Sequence, residues 1–183
     1  MKKITYIIIA FVALALLVIL AMFFMKKPTG PSSLEIVTHS DTETGITFSY
    51  PIGWNRFGNI PAGFMLTSPE EKSVLIISHS QVSNVVATYT STEELDQEVN
   101  NLLNPFENNQ NYQLISNTST EINNVEAKDA TFSYQDKDGL YKVRLLVIGK
   151  YKGRFHYFSL YSNEAFEKDM PDFNKIIKSI KFK

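Results

Sequence analysis

Between Ile4 and Met25 the chain runs through 22 residues, ITYIIIAFVALALLVILAMFFM, without a charged side chain. At roughly 1.5 Å of helical rise per residue, such a stretch spans a bilayer's hydrocarbon core of about 30 Å. Its polar groups are Thr5 and the Tyr6 hydroxyl, near the end where a ring with a polar tip suits the membrane interface. A helix buried in a soluble core would be shorter and would show a polar face. The segment therefore reads as one transmembrane helix, and the rest of the chain as a domain folding beside a membrane.

A cleavable signal peptide also begins with basic residues, but its apolar core is shorter and ends in a small-x-small site. Here Met22, Phe23, Phe24 and Met25 are bulky and lead into Lys26 and Lys27, which favours an uncleaved signal anchor. Lys2, Lys3 and the α-amino group outweigh Lys26 and Lys27 by about one charge, so the N-terminus is expected inside and the domain outside the cytoplasm. Residues 28–33, PTGPSS, have the composition of a short, partly stiff linker. The expected organisation is an anchor over 1–27, a linker over 28–33 and one extracytoplasmic domain over 34–183, about the ceiling for a chain of this length.

Charge and cysteine usage narrow the functions that domain can serve. Without the four lysines at 2, 3, 26 and 27, 14 basic residues face 19 acidic ones, net −5, which excludes a nucleic-acid binder by composition. The charge is unevenly spread, with 2 basic against 12 acidic residues over 28–127 and 12 against 7 over 128–183. The absence of Cys excludes disulfide scaffolds, thiolate zinc sites, a thiol nucleophile and a lipidated N-terminal cysteine.

The domain reads as strands first: 34–38, 46–50, 63–67 and 73–79, separated by turns such as DTETG and SPEEK. Residues 92–104 switch to helical spacing, with Leu95, Val99, Leu102 and Phe106 on one side. Ser91 and Glu94 form a capping box at its start, and Pro105 is expected to stop it. Strands resume over about 112–122, 125–135, 140–151 and 154–162, joined by tight hairpins at Asn123-Asn124, Asp136 to Gly139 and Lys152-Gly153. Phe166, Met170, Phe173, Ile177 and Ile180 mark a second helix, with Asn163 as its N-cap and a kink at Pro171. The sum is an α+β domain: an antiparallel sheet of about six or seven strands flanked by two helices, behind one transmembrane helix.

The run Phe48-Ser49-Tyr50-Pro51-Ile52-Gly53-Trp54 resembles the aromatic-Pro-x-Gly-Trp corner near the domain start in the Mog1/PsbP-like superfamily. The stretch from Tyr157 to Ser162, the following helix and Ser179 to Phe182 are similar to that family's last strand, C-terminal helix and extended terminus. The resemblance covers roughly residues 35–182 and implies an α-β-α sandwich without family-wide catalytic residues. Its members act as photosystem assembly or extrinsic subunits, small-GTPase partners, or chaperone-like secreted domains. The uncleaved anchor departs from a plant thylakoid-lumen subunit and fits a membrane-bound domain outside a prokaryotic cell. In the corner itself Pro51 ends strand pairing and Gly53 permits unusual dihedrals, while Trp54 either caps the core or serves as an exposed binding anchor.

Chemistry is thinly signalled. His39, His79 and His156 lack the spacing of a local zinc site, and Asp136-x-Asp138-Gly139 reads as a turn, since Tyr134 and Leu145 stand where a calcium loop needs acids. There is no G-x-S-x-G elbow and no glycine-rich phosphate loop. The expectation is therefore no enzyme, no cofactor and no metal, but a domain that binds an unidentified protein partner. It would do so through a sheet edge or through a face carrying Lys142, Arg144 and Lys150, with Trp54 as a further candidate contact. A small-molecule or lipid carrier with its aromatics around a cavity is the alternative, and a hydrolase a more distant one. Asn117-Thr118-Ser119 is a sequon, so Asn117 is a possible glycosylation site.

Overall fold

Ten strands and two helices are built over residues 35–60, 62–81, 90–109 and 111–183, which a computed structural model of the chain describes. The expected anchor at 4–25 and linker at 28–33 lie outside these residues. Among the described residues no helix is long and apolar enough to cross a membrane. In chain order the strands are β1 Ile36–Ser40, β2 Ile46–Pro51, β3 Asn55–Ile60, β4 Gly63–Thr67 and β5 Ser73–His79. Helix α1, Thr92–Glu107, is followed by β6 Gln113–Ile122, β7 Val125–Asp136, β8 Gly139–Tyr151 and β9 Arg154–Ser162. Helix α2, Phe166–Ser179, and the two-residue β10, Lys181–Phe182, close the chain.

The strands form two antiparallel sheets rather than the single one expected: seven strands in the order β3-β4-β5-β9-β8-β7-β6, and three in the order β1-β2-β10. Pleating sends alternate residues of the large sheet into two separate cores. On one face Leu95, Val99 and Leu103 of α1 pack with Phe132, Val143, Leu145 and Val147. On the other, Phe173, Ile176 and Ile177 of α2 and Ile46 and Phe48 of β2 pack with Leu66, Leu75, Leu146, Phe158 and Leu160. Interior strand β8 is therefore apolar on both sides over its middle, with Leu145 to Ile148 all buried.

The hairpin turns form where the sequence places them, with positive φ at Asn123 and Asn124 and at Lys152 and Gly153, as tight primed turns require. Ser91 accepts from the Glu94 backbone at 3.2 Å while Glu94 reaches back to the Ser91 backbone, completing the predicted capping box.

Neither proline interrupts its helix. Helix α1 continues through Pro105 to Glu107, and this extra turn sets Phe106 against Phe132 and Tyr134, with ring centroids 5.0 and 4.9 Å apart. Helix α2 runs unbroken through Pro171, which is exposed and cannot donate to the Glu167 carbonyl one turn before it. Its N-cap is Ala165, not Asn163; Ser162 Oγ accepts from the Ala165 backbone at 2.9 Å. Strand β3 escaped notice because NRFGNI has no apolar alternation and carries a bulge between Arg56 and Gly58.

Candidate functional site

The structure disperses the predicted basic face. Arg144 lies under α2, its guanidinium clamped by both oxygens of Asp129 at 2.5–3.1 Å, bonded to Asn174 Oδ1 at 2.6 Å, and set over the Phe173 ring. Lys142 sits on the same side, 2.5 Å from Glu167 and over the Phe166 ring. Lys150 faces the other way. A register break between Ile148 and Tyr151 inserts an extra residue, which flips the side-chain parity and points Lys150 at α1, 2.8 Å from Glu94 and over Phe155. The Lys150 bond, then the Ser91 backbone, holds the Glu94 carboxyl below its ordinary value. Trp54 is buried at 2% exposure and donates to Asp172 Oδ2 at 3.3 Å, so it is a core residue tying the β2–β3 corner to α2.

The fold also gathers what the sequence scattered. His39, His79 and His156, all three histidines of the chain, line one cavity of about 300 Å³ together with Asp41, Arg56 and a floor that includes Phe48, Phe64 and Phe158. His79 and His156 are directly opposite in the β5–β9 ladder, their ring centroids 6.3 Å apart. No spacing could reveal this, because the two stand 77 positions apart and their strands meet only through a long-range pairing. Gly63 shapes the wall: a Cβ there would stand 2.1 Å from the Ile77 carbonyl, so β4 approaches β5 only with glycine at this position.

The electrostatics of the cavity follow from burial. His156 is 3% exposed; desolvation pushes its pKa down to about 4, and a backbone hydrogen bond with Tyr151 only partly opposes this. His39 is lowered too, chiefly by burial, against the pull of Asp41. Burial acts upward on Asp41, but hydrogen bonds from Thr44 and Glu43 outweigh it and hold the carboxyl below its usual value. Those bonds are the backbone N–H groups of Glu43 at 2.9 Å and Thr44 at 3.2 Å, which close the β1–β2 turn on Asp41 Oδ1. Among the described residues no group of three or more His, Asp or Glu is arranged to hold a metal ion.

At the opposite end of the large sheet lies the β6 edge. β6 pairs only with β7, and nine of its ten residues are exposed, including Asn117 of the sequon. Leu114 and Ile115 stand 45% and 49% exposed at its start, where a bulge falls between Leu114 and Ser116. Leu140 on β8, 54% exposed, lines a shallow groove with Ile115, Ser133 and Lys142.

The described domain coincides with a family match: the PsbP family model fits residues 35–182. The cyanobacterial PsbP of Synechocystis, CyanoP, is 15% identical with a TM-score of 0.60, covering 84% of this chain and 96% of its own. LpqN of Mycobacterium tuberculosis, described as involved in cell envelope biogenesis, is 11% identical with a TM-score of 0.57, covering 81% and 91%. The Ran-binding protein Mog1p of Saccharomyces cerevisiae is 7% identical with a TM-score of 0.54, covering 81% and 96%. At these identities the likeness is one of fold alone. No curated protein matches the chain by sequence.

Proposed function

The chain belongs to the PsbP family, and from that premise we propose that it is a non-catalytic accessory domain, held outside the cytoplasm by a membrane helix at residues 4–25, that takes a partner protein's strand onto β6. The observation that carries this reading is the state of the large sheet's two edges. Long edge strands invite pairing with other chains, and proteins blunt them with Lys, Pro, bulges or cover. β3 is short, carries Arg56 and bends at a bulge. β6 is ten residues long and holds neither Lys nor Pro, with Glu121 as its single charge; its own bulge, between Leu114 and Ser116, falls near one end and leaves Ser116 to Ile122 regular. An added strand would find backbone partners along Ser116 to Thr120 and apolar contacts at Ile115 and Leu140. The yeast relative is described as Ran-binding, so a domain of this fold recognises a protein there.

The test places a photocrosslinking residue at Ser119 of the full chain in native membranes, with the same residue at Lys178 on α2 as a control. The reading expects one discrete adduct from position 119, none from 178, and its loss on I115K/L140D with the fold unchanged by circular dichroism. Equal adducts from both positions, or an adduct indifferent to I115K/L140D, would overturn it. A membrane-impermeant amine reagent on intact cells tests the topology, which requires the domain's lysines to be labelled.

A further inference from the structure

Recognition on the β6 edge makes no use of the three-stranded sheet, whose two faces differ. Val37 and His39 alternate inward with Tyr50 and Phe48, and the His39 ring stands 5.2 Å from Phe48. Ile36, Thr38 and Ser40 therefore point outward, opposite Pro51, Ser49 and Thr47. Hydroxyls line the middle of this outer face: Thr38 Oγ1 meets Ser49 Oγ and Ser40 Oγ meets Thr47 Oγ1, each at 3.1 Å. Lys181 opposes Thr47 from β10, and Lys183 Nζ donates to Ser40 Oγ at 3.4 Å, so both lysines border the same face.

The ends of the face differ in chemistry. At one end Ile36 is 63% exposed, and Ile52, 57% exposed, follows its partner Pro51. At the other end the charge is positive and uncompensated. Lys152 joins Lys181 and Lys183 there: its Nζ fills the space beside Gly45, whose carbonyl accepts from the Lys183 backbone at 2.9 Å. Lys178 stands on the last turn of α2, which Ser179 ties to the Ser49 backbone. All four lysines are exposed, and among the described residues none of them forms an ion pair. The acids bordering the face are Glu35, Asp41 and Glu43; Asp41 is bonded by its own turn, and Glu43 lies 2.7 Å from Arg154.

Exposed isoleucines at one end and unpaired lysines at the other suit a surface that presents phosphates over hydrocarbon. Lysines are drawn to an anionic bilayer within a Debye length of about 10 Å at 0.1 M salt, and isoleucines gain by entering the boundary of headgroups and acyl chains. Strand β1 is five residues long, so the two ends lie about 13 Å apart and can rest on one lipid surface together. With residues 4–25 read as a membrane helix, the ten residues 26–35 keep Ile36 within about 35 Å of the bilayer.

We infer that the outer face of the small sheet rests on an anionic lipid surface, with Lys152, Lys178, Lys181 and Lys183 donating to headgroup phosphates and Ile36 and Ile52 entering the headgroup boundary. The inference rests on the membrane-helix reading for the nearness of the bilayer, and on the charge and exposure of this face for the contact.

The chain has no Cys, so T38C on this face and S119C on β6 each take a single fluorophore. Each labelled full chain is placed in nanodiscs containing a headgroup spin-labelled lipid, whose quenching reports contact. With about 30% phosphatidylglycerol and 0.1 M NaCl, position 38 is expected to be quenched at least about threefold more than position 119, and the contrast to vanish in phosphatidylcholine alone or in 1 M NaCl. K181E/K183E and I36S/I52S should each lower the contrast by at least about half, while K137E, which removes an exposed lysine of the β7–β8 turn, leaves it unchanged. If K181E/K183E fails to fold by circular dichroism, K152E/K178E takes its place. Equal quenching at the two positions, a contrast indifferent to phosphatidylglycerol, or charge-reversed variants that match wild type would overturn the inference. Incorporation is read separately, as co-elution with the nanodisc in 1 M NaCl. Its absence overturns the membrane helix, and the same quenching contrast on vesicles of the same lipids then decides the face alone.

Discussion

His156 has to be neutral to occupy its place, and that ties the protein's stability to pH. Its folded pKa of about 4 lies below the ordinary 6.5 because burial disfavours the charged ring, with His79 and Arg154 adding repulsion and Asp41 opposing them. Between those values the unfolded chain binds more protons than the folded one, so this contribution is whole above about pH 6.5 and lost as pH falls toward 4. Urea unfolding at pH 7 and pH 4.5 should show wild type losing about 2 kcal/mol more than H156Q, whose side chain does not titrate. An equal loss in both proteins would mean that His156 is protonated in the fold. Arg144 makes a second residue-scale case. Its side chain and that of Asp129 are 17% and 19% exposed, so D129A strands a guanidinium beneath α2 and should cost about 3 kcal/mol in the same assay. Joint replacement as D129L/R144M should recover most of that. The alternation of β8 made Arg144's face legible, but not its partner: Asp129 lies diagonally across a ladder in which Arg144 opposes Thr131.

Elements were legible where a local signal and the tertiary packing agree. The capping box of α1 is such a place, and S91A should cost about 1 kcal/mol in urea unfolding, since it removes the acceptor for the Glu94 backbone. A cost near zero would mean that the helix is held by Leu95, Val99 and Leu103 alone. The hairpins agree with their Asn-Asn and Lys-Gly turns for the same reason. Elements were illegible where packing overrides the local rule. Pro105 reads as a stop and Pro171 as a kink, yet Phe106 on one helix and Phe173 with Ile176 on the other are worth more buried than one lost backbone bond costs. The bulge after Ile148 is the most consequential miss, because a single inserted residue carried Lys150 to the opposite face and took the predicted basic surface apart. Gly149, whose Cβ would lie 2.9 Å from the Glu126 carbonyl, is the available signal, a glycine that follows the apolar run Leu145 to Ile148 inside the strand.

At the scale of the whole molecule, the sequence divides into an acidic stretch and a basic one, which could have folded into a strongly polarised domain. The topology interleaves them instead. Of eight ion pairs among the described residues, five join the segment before residue 128 to the segment from 128 onward: Lys72–Glu164, Lys128–Asp96, Lys150–Glu94, Arg154–Glu43 and Lys168–Glu70. The cross-links follow from the topology, which sets β9 and β8 beside β5, lays α1 over β7 and β8, and packs α2 and β10 on β2, so that β2, β5 and α1 each meet a late element. Most of these carboxylates are exposed, as Glu43 at 73% and Glu164 at 64% show, and such pairs are screened by salt and contribute little each. Two apolar cores on opposite faces of the large sheet hold the fold, and the ion pairs follow from which segments those cores bring together. Raising NaCl from 50 mM to 1 M should therefore lower the melting temperature by about 5 °C at most. A fall of 15 °C or more would put the ion pairs among the main supports of the fold and the cores second, while a rise would show that the excess of negative charge strains the domain more than its cross-links relieve.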